Sequence, residues 1–278
     1  MRNKKLNLDS FLASLLETHI LAIQKKNEKQ RTMRYFLILD YNGSNFFGWQ
    51  RQPQQDTIQE RIEKALSALL KTTIEITGAG RTDTGVHAKN YVAHFDTDTQ
   101  GLECNTDFLH KLNCILPFDI NIQRIALVND TAHARFDATK RTYKYYVTSK
   151  KDVFGYNFIH RAKNLDIDKM NAAAKQMFLY TDFTSFSKLN TDVKTNNCTI
   201  YEAYWTEENG YYTFTICANR FLRNMVRAIV GTLIEVGYGK TSIDDFCKII
   251  EAQDRGKAGT SAPAKALFLE KIEYPYEF

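Results

Sequence analysis

The stretch Ala79-Gly-Arg-Thr-Asp-Thr-Gly-Val-His-Ala88 sets one carboxylate, Asp83, between Gly80 and Gly85. It follows Thr73–Thr77, a segment whose β-branched residues and alternation predict a strand. Glycines on both sides open backbone conformations closed to other residues and let another group come close. A chain written this way puts an acid on a tight loop at the end of a strand, so its fold needs a sheet with a functional rim. Taken alone, the stretch leaves a second reading open, a turn in which Asp83 only hydrogen-bonds its own backbone.

The chain has 278 residues, 44% of them hydrophobic and 25% charged, enough for one large or two ordinary domains with an ample core. Five scattered cysteines, Cys104, Cys114, Cys198, Cys217 and Cys247, form no C-x-x-C pair, which excludes a disulfide framework and a thiolate metal site. Six histidines without ligand spacing predict no metal centre. There is no apolar run long enough for a membrane span, and Glu17, Thr18 and His19 interrupt the early apolar segment, so a cytoplasmic protein is expected. The net charge of +5 becomes meaningful only where cations cluster beside aromatics.

Residues 1–32 read as an extension. Leu8, Phe11, Leu12, Leu15, Leu16, Ile20 and Ile23 follow helical spacing, and a polar linker follows from Gln24. The compact part begins with a strand at Met33–Tyr41, then a loop bearing Gly43 and Gly48. Thr57-x-x-Glu60 is a capping box opening a helix with Ile58, Ile62, Ala65, Leu66, Leu69 and Leu70 on one face. The pattern then predicts a strand near 91–95, a helix over 106–115, and strands over 120–128 and 141–147. Asp166 caps a helix over 168–180, strands follow at 200–206 and 211–217, and a long helix runs over 220–236. Ser242 caps another helix to 252, and a strand over 266–274 closes the chain. The expected fold is α+β: two similar α/β halves, 33–150 and 151–278, each a mostly antiparallel sheet with helices on one face.

Three further segments carry chemistry. In Lys140-Arg-Thr-Tyr-Lys-Tyr-Tyr146, strand alternation puts Arg141, Tyr143 and Tyr145 on one face, where a ring can stack on a base and a cation can meet phosphate. The alternative there is a half-buried strand with core tyrosines. In Asn219–Gly231, Arg220, Arg223 and Arg227 recur at helical spacing, and Arg227 lies at the border of an apolar stripe where a cation needs a carboxylate; Asp83 is the candidate. Gly43–Gln52 gathers glycine, Gln50 and Arg51 with aromatics, as in a loop gripping nucleic acid or sugar, or as a glycine-rich connection with anchoring aromatics. Gly80–Gly85 lacks the Gly-Lys-Ser/Thr of a phosphate loop, which excludes nucleotide hydrolysis by that device.

In combination, Phe47-Gly-Trp-Gln-Arg-Gln52, Thr57-Ile-Gln-Glu60, Gly80–Ala88, Phe136–Tyr146, Asp182-Phe-Thr-Ser-Phe186, Phe221–Gly231 and Ala262-Pro-Ala264 with Leu267–Leu269 resemble, in order, the TruA family of tRNA pseudouridine synthases. The resemblance implies isomerisation of uridine to pseudouridine in the anticodon stem-loop of tRNA, at positions 38 to 40, without metal or cofactor. It implies a homodimer and a central basic cleft between the two halves. It assigns Asp83 as nucleophile, Arg227 as its ion-pair partner, and Tyr143 as the residue packed on the target base, with acceptance of a proton as a second role. Arg81, Arg141, Gln50 and Arg51 would join Tyr143 in holding RNA. The competing reading is a non-catalytic RNA-binding or RNA-folding module on the same scaffold, which has no need of the acid.

Overall fold

The computed structural model describes residues 32–188 and 195–278; the helix and linker expected before residue 32 lie outside the described residues apart from Thr32 itself. The strands are β1 (Met33–Tyr41), β2 (Thr77–Gly78), β3 (His87–Thr97), β4 (Ile120–Val128), β5 (Lys140–Thr148), β6 (His160–Arg161), β7 (Ile200–Glu208), β8 (Tyr211–Ala218) and β9 (Leu267–Glu273). The helices are α1 (Ile58–Leu70), α2 (Thr106–Ile115), α3 (Ile167–Gln176), α4 (Met225–Gly237) and α5 (Ile243–Glu251).

The strands form one sheet in the order β4-β1-β3-β9-β5-β8-β7, with β2 on β3 and β6 on β5. Most pairs are antiparallel. The exceptions are β5 with β6 and the short contact of β3 with β9, where His87 faces Phe268 and Ala88 faces Leu269. The last strand of the chain therefore joins the halves, with β3 on one side and β5 on the other. Two apolar cores flank this join. One gathers β1, β3, β4 and α1 around Phe36, Leu39, Ile62 and Phe95; the other gathers β5, β7, β8 and α3–α5 around Tyr145, Phe214, Ile229 and Phe246. Strand β5 hydrogen-bonds to β8 and β9 and buries Tyr145 and Val147 in the second core, although it precedes residue 150 in the chain. Tyr143 packs against both cores.

Local chemistry explains the element ends. The Thr57 hydroxyl caps α1 by accepting the Glu60 N–H. The segment expected as a strand at 73–77 pairs only at Thr77 and Gly78, with His94 and Ala93. Ahead of that pair the Ile76 N–H donates at 3.0 Å to the buried Glu63 carboxylate of α1, which stands in for a ladder partner. Helix α4 begins at Met225 rather than 220, because Asn224 takes a left-handed conformation with φ +65° that a helix interior does not allow. Arg220 and Arg223 thus lie on the approach to α4 and share no helical flank with Arg227.

Candidate active site

Asp83 lies on the loop between β2 and β3, and the backbone around it is held from three sides. From β1, the buried Tyr41 hydroxyl bonds the Thr82 hydroxyl at 2.8 Å. From the Gly43–Gln52 loop, the Trp49 N–H donates to the Thr82 carbonyl at 3.3 Å. Gly48, at φ +86°, brings that loop so near that a Cβ there would lie 2.5 Å from the Thr82 carbonyl oxygen. Within the loop, the Val86 N–H donates to the Asp83 carbonyl at 3.1 Å, closing a turn, and the Tyr91 hydroxyl donates to the Gly80 carbonyl. The Gly43–Gln52 segment is thus a wedge under the acid, anchored by Trp49 against Tyr41 and Tyr91.

Arg227, in the first turn of α4, brings the other half of the chain to Asp83. Its Nη1 is 3.3 Å from Asp83 Oδ2, across 144 residues of sequence. Its Nε donates to the Ala262 carbonyl at 2.8 Å, and the Ala262 N–H returns a bond to the Arg227 carbonyl at 2.9 Å. The Asp83 and Arg227 side chains are 24% and 22% exposed, so the pair is partly desolvated yet open to a ligand. A cation at that depth offsets the cost of holding the carboxylate out of water.

Tyr143, on β5, stands edge-on to Phe221 at 5.1 Å between ring centroids. Burial pushes its phenol up to about 12; the Arg141 cation opposes that shift and the Asp83 charge adds to it. At neutral pH it is a protonated phenol, able to stack and donate.

The other sequence candidates divide. Arg81 is exposed beside Asp83 and makes no ion pair among the described residues; the same holds for exposed Arg223 and half-buried Arg220. Gln50 is exposed. Arg51 keeps an exposed side chain but reaches the buried Glu63 carboxylate with Nη1 at 3.2 Å. Arg141 is committed inward. Its Nη1 donates to the Ala138 and Asn219 carbonyls at 2.8 Å, and its Nη2 donates to Ala79 at 3.2 Å and Arg135 at 2.8 Å. Four of a guanidinium's five N–H groups are spent on backbone, which ties the start of the Asp83 loop to the strand end before Arg220. Sequence reasoning gave no part to Tyr41, Thr82 or Ala262; the glycines at 43 and 48 were the available sign that another backbone comes close.

Among the described residues no cluster of His, Cys, Asp and Glu is placed to hold a metal ion, and no helix is long and apolar enough to cross a membrane. The site joins an acid on the loop between β2 and β3 to an arginine on α4, with Tyr143 of β5 near enough for the Asp83 charge to act on its phenol.

Comparison with known proteins identifies the family. The family model described as tRNA pseudouridine synthase matches residues 37–137 and 173–275. A tRNA pseudouridine synthase A of Bacteroides fragilis is 57% identical over 246 residues, covering 88% of this chain and 97% of its own length. One of Parabacteroides distasonis is 56% identical over 245 residues, with 88% and 97% covered. One of Bacillus subtilis is 40% identical over 248 residues, with 87% and 99% covered. The fold and the comparisons together define an RNA-modifying isomerase. The chain belongs to the tRNA pseudouridine synthase family.

Proposed function

We propose that this protein isomerises uridine to pseudouridine in the anticodon stem-loop of tRNA, at positions 38, 39 and 40, acting in the cytoplasm as a homodimer with Asp83 as its nucleophile. The observation that carries the assignment of Asp83 is its 3.3 Å contact with Arg227, a pair that RNA binding alone would not require. In the reaction the bond from uracil N1 to ribose C1′ breaks, the base turns, and a bond from C5 to C1′ forms. C5 gives up a proton and N1 gains one, so atoms and electrons balance and no redox partner or transferred group is needed. Asp83 supplies the carboxylate that attacks and is later released, and Arg227, 3.3 Å from its Oδ2, keeps that carboxylate aimed.

A uridine in a stem must leave the stack to reach such a site. Tyr143 offers the flipped base a ring, and base–aromatic stacking returns about 1–3 kcal/mol of the lost stacking. Arg81, Arg220 and Arg223 are available for phosphates, with Gln50 and Arg51 on the Gly43–Gln52 loop. Arg141, with its donors on backbone, contributes by holding the loop that bears Asp83. The test is chemical mapping of pseudouridine in unmodified tRNA transcripts incubated with the purified protein. Signals confined to positions 38–40 are expected; unmodified transcripts would refute the reading.

A further inference from the structure

None of the roles above uses His87, although it is buried four residues beyond Asp83 and connects three segments. The Gly43 N–H donates to its Nδ1 at 3.1 Å, so the ring proton must sit on Nε2. That Nε2–H donates to the Lys265 carbonyl at 3.0 Å. Phe268 stacks on the ring at 4.5 Å and 26°, with Phe158 on it at 5.2 Å. Burial holds the imidazole below its ordinary pKa, which keeps it neutral and in this tautomer.

Lys265 belongs to the short segment that holds Arg227. Within three residues of it, Ala262 exchanges two hydrogen bonds with Arg227, and the Pro263 carbonyl accepts the Tyr145 hydroxyl at 3.0 Å. The Ala264 methyl sits 3.4 Å from where a Cβ on Gly85 would be. Two routes therefore join the acid to the arginine. One is the direct contact, a single bond at 3.3 Å. The other runs from Asp83 along the chain to His87, across to Lys265, back to Ala262, and on to Arg227. One long contact leaves two side chains free to slide; a strut fixed at both ends does not.

We propose that His87 is a positioning residue: its Nε2–H grips the Lys265 carbonyl and so sets the 262–265 strut, and with it Arg227, in register with the Asp83 loop. This rests on the reading of Asp83 and Arg227 as the reacting acid and its partner. Displacement of a reacting group by an ångström costs on the order of 100-fold in rate, so the grip is worth keeping even though the ring touches no substrate.

Two variants separate positioning from core filling. His87→Gln carries its amide N–H to the Nε2 position and keeps a donor for Lys265, whereas His87→Asn keeps only an acceptor for the Gly43 N–H. With tRNA as substrate, His87→Asn lowers kcat about 10- to 100-fold with KM within about twofold, and His87→Gln restores kcat to within about threefold of the parent. Amide exchange at Ala262, whose N–H bonds Arg227, accelerates in His87→Asn and stays at the parent rate in His87→Gln. Equal kcat and equal Ala262 exchange in the two variants, or losses that follow thermal stability alone, would overturn the proposal. A parent protein that forms no pseudouridine would refute the functional reading, while the exchange measurement would still decide the strut.

Discussion

Arg141 and Arg227 carry the same cation and do opposite things with it. Arg141 lays two N–H groups of each terminal nitrogen on four carbonyls, and burial lowers its pKa from the ordinary arginine value. Arg227 spends Nε on Ala262 and leaves Nη1 for Asp83. Arg141→Ala would leave three part-buried carbonyls, of Ala79, Ala138 and Asn219, without this donor, costing about 3 kcal/mol. That lowers the melting temperature by about 6–12 °C in a chain of this size. If Arg141 is a clamp, tRNA binding by the folded variant keeps the parent's salt dependence. A log–log slope shallower by about one unit would instead return Arg141 to the RNA face. The sequence showed which residues share a strand face with Tyr143 but not where the guanidinium goes, because its acceptors come from residues 79, 135, 138 and 219. Strand alternation reports a direction, not the company met there. The pairing of Asp83 with Arg227 was open to sequence reasoning for a simpler reason: a cation at the edge of an apolar stripe has few ways to be satisfied.

At the scale of elements, α4 shows what periodicity can and cannot give. The apolar stripe from Met225 to Val236 predicts the helix, and the same stripe extended back to residue 220 predicts five residues too many. Asn224 stops it, since asparagine accepts a left-handed conformation that most residues resist. The face of α4 is equally specific. A Cβ on Gly231 would collide with the Thr260 carbonyl oxygen, so the 259–262 segment lies directly on the helix. Thr232 in the next position accepts the Gly259 N–H at 3.0 Å. Gly231→Ala must push that segment away, at about 1–3 kcal/mol of overpacking strain, and the shift carries Ala262 off Arg227. Pseudouridine formation should fall about 10-fold or more while tRNA affinity holds. An alanine variant with parental activity would show that the segment does not position Arg227.

At the scale of the whole molecule, one sheet with two cores explains how an acid near residue 80 and an arginine near residue 230 become neighbours: β9 returns between β3 and β5 and seals the seam. Alternating strands and amphipathic helices made the α+β class legible, and the helix over 106–115 and the strand over 120–128 fall where the sequence put them. The closing role of β9 was not legible, because its contact with β3 is only two residue pairs long and leaves no mark on the pattern. The first core also carries an acid-sensitive group. His94 is buried, accepts the Ala134 N–H on Nδ1, and is pushed down to about 4 by burial, by Arg34 and by His133, against opposing pulls from Asp96 and Asp137. The unfolded histidine titrates at its ordinary value, so between that value and about 4 the unfolded chain holds a proton the native state refuses. Stability is full above this window and falls as pH drops through it, by about 3 kcal/mol in total. His94→Asn, which retains an acceptor for Ala134, should flatten denaturation midpoints measured from pH 6.5 to 4; an unchanged acid slope would place the sensitivity elsewhere.

The central claim is that the carboxylate of Asp83, aimed by Arg227, performs the chemistry. Its most direct test is the single-turnover rate of pseudouridine formation by Asp83→Asn, measured with tRNA affinity on the same preparation. The amide keeps the shape of the side chain and removes the charge. The account predicts no detectable product with a Kd within about threefold of the parent, the pattern of a group acting in the transition state rather than in binding. Product formed at a rate near the parent's would contradict it.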